Sequence, residues 1–389
     1  MLELLFLLLP VAAGYGWVMG RNSVRQAQRK QSSILSKHYY KGLNFLLSDQ
    51  PDKAVDTLIK MININTDTVE THIAMGNFFR HRGEIDRAIR VHQNLVSRDE
   101  LSATQRETAL KELGLDYYQA GFLERAENAF LKLLSSDKHR SAAQSQLFSI
   151  YQTTKEWDKA IELAEGAVAS FSDVDIIKPR LAHFYCELAQ KEIESGKESD
   201  ALQRLQKAVK VDDEAVRPWL LLAQNAVEHN EYDEANQYLE EVAKRDKTFI
   251  SEAVNKMLDI AEETNDWASM ARFLETYWQP CGSSILANTR LLSSEQSKTE
   301  ATDYLVEQLR KHPTMKGFKA LMDLYINLEG ENISTESLSL LKSLVEKQIA
   351  MRPKYRCQSC GFSGRKLYWL CPSCKKWGVV TPIKGLDGE

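Results

Sequence analysis

The amino-acid sequence predicts an all-α chain, a stack of helical hairpins with an apolar segment at its front and a small cysteine-rich module at its rear. Three observations carry this. Glycine (18) and proline (9) are scarce among 389 residues, so little interrupts helix. Alanines recur through the middle of the chain at the spacing of one helical hairpin. Four of the six cysteines are crowded between positions 357 and 374.

Composition sets the outer bounds. Hydrophobic residues make up 43% and charged residues 27%, a globular balance that excludes wholesale disorder. The net charge of −4 is unevenly spread: residues 21–48 hold six basic side chains and no acidic one, residues 351–384 hold eight and none, and residues 49–350 carry about −15. Such asymmetry speaks of partners and surfaces, not of fold. A disulfide-built secreted domain would spread its cysteines along a short chain, so this pattern points to a reducing compartment.

At the front, residues 4–20 contain no charged side chain, and Leu2 extends the apolar run past Glu3. Roughly 17–19 residues reach the lower limit for a membrane-spanning helix. Residues 1–20 are therefore expected to be a transmembrane anchor. Arg21, Arg25, Arg29 and Lys30 follow at once, in a basic juxtamembrane linker over residues 21–34. By the positive-inside rule these cations hold the bulk of the chain on the cytoplasmic side. Tyr15 and Trp17 fall at the headgroup level, and Gly14, Gly16 and Gly20 offer a small-residue face for helix packing. A cleaved signal peptide would place its basic residues before the apolar stretch rather than after it.

Residues 35–278 read as a repeat array. A small residue, an aromatic residue and an alanine recur: Gly42, Phe45 and Ala54; Gly76, Phe79 and Ala88; Gly114, Tyr117 and Ala126. Later copies centre on Tyr151 and Ala160, on Gly196 and Ala201, and on Trp219, Ala223 and Ala235. The alanines at 54, 88, 126, 160, 201 and 235 are separated by 34, 38, 34, 41 and 34 residues. That is the tetratricopeptide period, a solenoid of antiparallel helix pairs. The small residue of the first helix is expected to let the second approach, with the alanine at the same crossing. Gly83 and Gly121 close the turns. A degenerate copy spans residues 250–278 with Asn265, Asp266 and Trp267 as its turn, and residues 279–284 break the pattern. Residues 279–350 are expected to form C-terminal capping repeats, with helices near 299–311, 314–328 and 334–350. Such arrays expose a concave groove lined by first helices. Asn77, Arg80 and His81 in one repeat, and Lys111, Leu115 and Tyr118 in the next, are the candidate partner-binding positions.

Residues 351–389 form the cysteine module. Cys357, Cys360, Cys371 and Cys374 follow a C-x2-C-x10-C-x2-C pattern. Two residues between cysteines let a tight turn aim both thiolates at one ion, and two such knuckles complete a tetrahedron. Thiolate sulfur selects zinc or iron over hard cations. Four protein ligands close the site, which makes it structural or regulatory rather than catalytic. Tyr355, Phe362, Tyr368, Trp369 and Trp377 are expected to build a small core, too small to fold without the ion. Arg356, Arg365, Lys366, Lys375 and Lys376 would offset the thiolate charge and dock on the acidic repeats or on lipid phosphates. The acidic bulk and the anchor argue against nucleic acid.

The sequence lacks G-x-x-x-x-G-K-[ST], H-E-x-x-H and G-x-S-x-G motifs, and no G-x-G-x-x-G follows a strand. His72, His81 and His92 read as surface or packing residues, and His183 with Cys186 as core. The chain is not expected to be an enzyme.

The combination resembles the lipopolysaccharide assembly protein B family. The likeness rests on the front segment ending in Gly20-Arg21, the repeat array, Tyr355-Arg-Cys-Gln-Ser-Cys-Gly-Phe362 and Tyr368-Trp-Leu-Cys-Pro-Ser-Cys374. The helix around His183 and the tail after Pro382 share it. The resemblance implies a single-pass inner-membrane protein facing the cytoplasm that restrains lipopolysaccharide synthesis. It implies an adaptor that delivers the committing lipid A deacetylase to the membrane protease FtsH and contacts other lipopolysaccharide assembly proteins. It also implies a rubredoxin-like C-terminal domain packed on the repeats, with one tetrathiolate ion, iron or zinc, on residues 357, 360, 371 and 374. The ten-residue gap is shorter than in free-standing rubredoxins, which argues against electron transfer. The alternative function is a redox- or metal-sensing scaffold of envelope assembly. Homo-oligomerisation is compatible with either.

Overall fold

The computed structural model describes residues 69–169, 174–295, 297–329 and 333–385, together with Trp17, Met19 and Gly20. The rest of the expected anchor, the basic linker and the first repeat around Gly42 and Ala54 lie outside the described residues. Among the described residues no helix is long and apolar enough to cross a membrane. The chain divides into two compact units, Met1–Thr154 and Lys155–Glu389.

In the first unit, α1 (Val69–His81) pairs with α2 (Ile85–Val96), and α3 (Ala103–Gln119) with α4 (Leu123–Leu133); α5 (Arg140–Thr154) follows. Helix α3 opens on a capping box, in which the Ser102 hydroxyl accepts from the Gln105 amide and the Gln105 side chain accepts from the Ser102 amide. In the second unit, α6 (Trp157–Ala169) packs on α7 (Val174–Glu194), and α7 on α8 (Glu198–Val211). Next come α9 (Val216–Glu228), α10 (Tyr232–Arg245), α11 (Ile250–Thr264) and α12 (Trp267–Tyr277). The array continues with α13 (Gly282–Glu295), α14 (Lys298–Lys311), α15 (Met315–Glu329) and α16 (Ile333–Met351).

The alanine period is the shadow of a backbone period. Gly83, Gly121, Lys155, Gly196, Asn230 and Asn265 all adopt positive φ, between 58° and 79°. Five residues after each stands Ala88, Ala126, Ala160, Ala201, Ala235 or Met270, none more than 1% exposed. At the turns within each unit the left-handed residue ends one helix and aims the next back along it. The Glu84 amide donates to the Phe79 carbonyl at 2.9 Å, and the Lys197 amide to the Glu192 carbonyl at 2.8 Å, closing the helix end. Glycine and asparagine tolerate this conformation best, which is why they recur here.

Two details depart from the sequence reading. A Cβ on Gly76 would lie 2.3 Å from the His92 ring, and one on Gly114 would lie 2.9 Å from Phe130. Both partners stand one helical turn beyond the buried alanine, so the glycine crosses the second helix at that point and not at the alanine. The expected break at 279–284 is also shorter than the sequence suggests, because α13 begins at Gly282. Its Ser283, Ser284 and Thr289 are buried, and the Thr289 hydroxyl donates to the Ile285 carbonyl at 2.7 Å. Polar residues that satisfy themselves on the backbone do not read as a helix face.

The chain is not wholly α. Beyond α16 lies a three-stranded antiparallel sheet of order β2-β1-β3, made of β1 (Tyr355–Cys357), β2 (Ser363–Gly364) and β3 (Val380–Pro382). Tyr355 pairs with Gly364 on one side, and Cys357 with Val380 on the other.

Candidate metal centre and its docking face

The four cysteines sit on two copies of one turn. In the first, the Gly361 amide donates to the Cys357 carbonyl at 3.0 Å and the Cys357 amide to the Phe362 carbonyl at 2.7 Å. In the second, Lys375 donates to Cys371 at 3.0 Å and Cys371 to Lys376 at 2.9 Å. Gly361 and Lys375 occupy the same place in each turn, with φ of 76° and 56°. Lys375 holds a conformation that costs a non-glycine residue about 1 kcal/mol or more. The identical hydrogen bonding explains why it is retained, since both turns must aim their sulfurs at one point.

All four Sγ atoms lie within 4.8 Å of one another. Cys357 and Cys374 stand 3.8 Å apart, and Cys360 and Cys371 stand 3.7 Å apart. A tetrahedron with metal–sulfur bonds of about 2.3 Å has edges of about 3.8 Å, so the spacing fits a tetrathiolate ion. Cys357 and Cys371 are buried, Cys374 is half-buried and Cys360 is exposed. The Phe362 amide, with the neighbouring Cys357, Cys371 and Ser373 side chains, draws the Cys360 thiol down to about 6, against a smaller push from desolvation. A bound ion would hold the two knuckles and the three strands together; four sulfurs suit iron as well as zinc.

The aromatic residues divide between two tasks. Tyr355, Phe362 and Leu367 pack around Cys357, Cys371 and Val380 inside the module. Trp369 and Trp377, expected in that core, instead face the helices. Trp377 stacks on His183 of α7 at 4.8 Å with 18° between planes, and meets Phe184 edge-on at 6.0 Å. Trp369 stacks on Phe249 at 5.4 Å with 21° between planes. Each such pair is worth about 0.5–1.5 kcal/mol beyond its buried area. The Tyr355 hydroxyl donates to Glu252 of α11 at 2.8 Å.

Arg217, at the start of α9, is the hub of this contact and is only 2% exposed. Its Nη2 donates to Glu187 at 2.8 Å and to Gln190 at 2.7 Å, both on α7. Its guanidinium carbon lies 5.9 Å from the ring centres of both Trp369 and Trp377. One cation thus joins two repeat helices to both tryptophans. Burial, and next the Arg217 charge, push His183 down to about 3, so the imidazole on Trp377 is neutral at physiological pH. Cys186, one turn along α7, is fully buried, and burial pushes its thiol up to about 12, which leaves it inert. The docking cation therefore comes from the repeats. Arg356, Arg365, Lys366, Lys375 and Lys376 of the module all remain exposed, so the contact with the repeats is not made through them.

Beside Arg217 opens a cavity of about 360 Å³. Gln190, Leu221, Gln224 and Lys256 line its helical side, and Leu367 and Trp369 of the cysteine module close the other. Apolar walls with amide and charged groups suit a peptide segment.

The candidate groove residues of the first unit fall on α1 and α3. Arg80 is a strut: its side chain is 9% exposed and pairs with Glu112 at 2.5 Å and Asp116 at 2.9 Å, while Asn77 accepts from it at 2.6 Å. Asp116 also bonds the buried His92 ring at 2.6 Å. Burial raises the Glu112 pKa, but hydrogen bonds from Arg80 and Lys111 outweigh it and hold the carboxyl below its ordinary value. Lys111 pairs with Glu112 at 2.9 Å. His81 is exposed, and Leu115 and Tyr118 are half-buried. Arg217, His183 and the two tryptophans, which the sequence left out of any site, converge instead. Only the aromatic residues around the cysteines, Trp369 before Cys371 and Trp377 after Cys374, gave a signal, and it reached the tryptophans alone.

The cysteine module matches a family described as a rubredoxin metal binding domain over residues 355–382, and residues 192–257 match the tetratricopeptide repeat. Over its whole length the chain is similar to lipopolysaccharide assembly protein B of Escherichia coli K12, with 40% identity across 100% of both chains. It is likewise similar to the protein of that name from Haemophilus influenzae, with 37% identity across 100% of both. Among solved structures, that of MamA protein covers 46% of this chain and 92% of its own at 21% identity, with a TM-score of 0.34.

Proposed function

Since the chain belongs to the lipopolysaccharide assembly protein B family, we propose that it is an inner-membrane adaptor that restrains lipopolysaccharide synthesis by delivering the committing lipid A deacetylase to the protease FtsH. Residues 1–20 anchor it as a single pass, with the repeats in the cytoplasm. Anchoring confines the repeats near membrane partners and raises their effective concentration, to about the mM range for short connections, without any new contact. The client segment enters the cavity beside Arg217. His81, Lys111, Leu115 and Tyr118, braced from beneath by Asn77 and Arg80, provide a second face for protein partners, among them other lipopolysaccharide assembly proteins. One ion on Cys357, Cys360, Cys371 and Cys374 has a structural part: it keeps the wall formed by Leu367 and Trp369 in place.

The observation that carries this reading is that the cavity of about 360 Å³ beside Arg217 has walls from both the repeats and the cysteine module. The test is complementation in cells depleted of the native protein. The full chain restores normal lipopolysaccharide and deacetylase levels, whereas a chain lacking residues 1–20 folds but does not. Restoration by the soluble form at native expression would overturn the reading. A second reading, redox or metal sensing, is favoured by the exposure of Cys360. It requires client capture to fall when peroxide releases the ion.

A further inference from the structure

Helix α16 closes the helical array, yet its outer face is apolar. Leu340 is 64% exposed, Leu341 48%, Leu344 51% and Met351 66%. The end of a repeat array ordinarily carries a polar outer face, because nothing stacks on it. The inner face is already occupied. Lys342 pairs with Asp323 of α15, Glu346 pairs with Lys319 at 3.2 Å, and Leu338, Val345 and Ile349 are half-buried.

The outer residues form a regular seam. Ser337, Leu340, Leu344, Lys347 and Met351 are all exposed and are separated by 3, 4, 3 and 4 residues. Alternating steps of three and four keep one stripe facing a second helix in knobs-into-holes packing. A 19-residue helix is about 28 Å long, enough for several such layers.

We propose that this stripe is a homodimer interface in which α16 pairs antiparallel with α16 of a second copy. From Ser337 to Lys347 the steps of 3, 4 and 3 residues are the same from either end, so this part of the seam can pair with its own reversed copy about a two-fold axis. Reversed about position 342, Leu340 meets the second copy's Leu344, Leu344 meets its Leu340, and Ser337 meets its Lys347. Glu336, exposed beside Ser337, then lies next to the second copy's Lys347. A parallel pair would instead set Lys347 against Lys347 and Glu336 against Glu336. Charge therefore selects the antiparallel register, and it also selects a second copy over an unrelated helix, which would not reproduce both the apolar and the charged match.

The test uses full-length protein in its membranes. Two differently tagged copies, one Leu340→Cys and the other Leu344→Cys, are co-expressed and treated with a short bismaleimide, with the parental chain as background for Cys360. The mixed pair is expected to cross-link at least tenfold more than either variant alone. Lys347→Glu is expected to lower the mixed cross-link about tenfold, and Glu336→Lys added to it to restore the yield. Stronger cross-linking of each variant to itself would establish parallel pairing and overturn the proposal. So would cross-linking to a different protein, or no product above background.

Discussion

His183 of α7 lies flat against Trp377 of the cysteine module, with ring centres 4.8 Å apart and 18° between planes. This contact and the Phe249–Trp369 stack at 5.4 Å fasten a module of three short strands to the repeats. Neither partner is self-sufficient there. The module has a minimal core of its own, and Arg217 depends on both tryptophans to cover its buried guanidinium.

Trp377→Ala removes the stack on His183 and the edge contacts with Phe184 and Trp157. A loss of about 3 kcal/mol in stability is expected, in the range for large-to-small aromatic substitutions. Limited proteolysis should then cut between α16 and β1 while α9 to α12 stay intact. An unchanged melting temperature and cleavage pattern would show that the contact does not hold the module.

The His183 pKa carries a pH signature. Its folded value, about 3, lies below the unfolded value of 6.5, so the unfolded chain binds more protons between those limits. Stability from this group is complete above pH 6.5 and falls as pH drops toward 3, with a slope on the order of 1 kcal/mol per pH unit. Release of a thiolate-bound ion at low pH would act in the same direction, so the informative quantity is a difference. Denaturant unfolding between pH 7 and 4.5 should show a shallower fall for His183→Phe than for the parent chain.

Arg80→Met leaves Asp116 beneath α1 without its arginine and Glu112 with Lys111 alone. Breaking a buried pair from one side costs about 3–5 kcal/mol. The paired change with Asp116→Asn should recover part of that loss in urea unfolding. If Arg80→Met instead left stability unchanged, Arg80 would be a free groove residue.

Gly76→Ala and Gly83→Ala separate two uses of glycine. The first forces a Cβ to 2.3 Å from the His92 ring, an overpacking expected to cost about 1–3 kcal/mol. The second meets no atom within 4 Å and strains only a φ of 78°, at about 1 kcal/mol. Thermal unfolding should rank Gly76→Ala as the more damaging.

What the sequence disclosed follows from local physics. The alanine spacing was legible because each alanine sits at a fixed distance from a left-handed turn residue, and both are set within one hairpin. The cysteine knuckles were legible because each is five or six residues of self-contained turn. Docking was not, because a tryptophan beside a cysteine knuckle looks the same whether it fills the module or leaves it. Arg80 and Arg217 carry the same ambiguity: an arginine on a first helix reads as groove-facing until its carboxylate or aromatic partners, some 30 residues or more away, are placed. Helix α13 was hidden by serine and threonine side chains that bond their own backbone.

The most direct measurement is hydrogen–deuterium exchange on the full-length chain, first metal-loaded and then after the ion is removed by chelation. If the thiolate-held module braces the repeats, residues 355–382 should lose protection together with the segments around His183 and Arg217, while α1 to α4 remain unchanged. Loss confined to the module, with α7 and α9 as protected as before, would contradict the account.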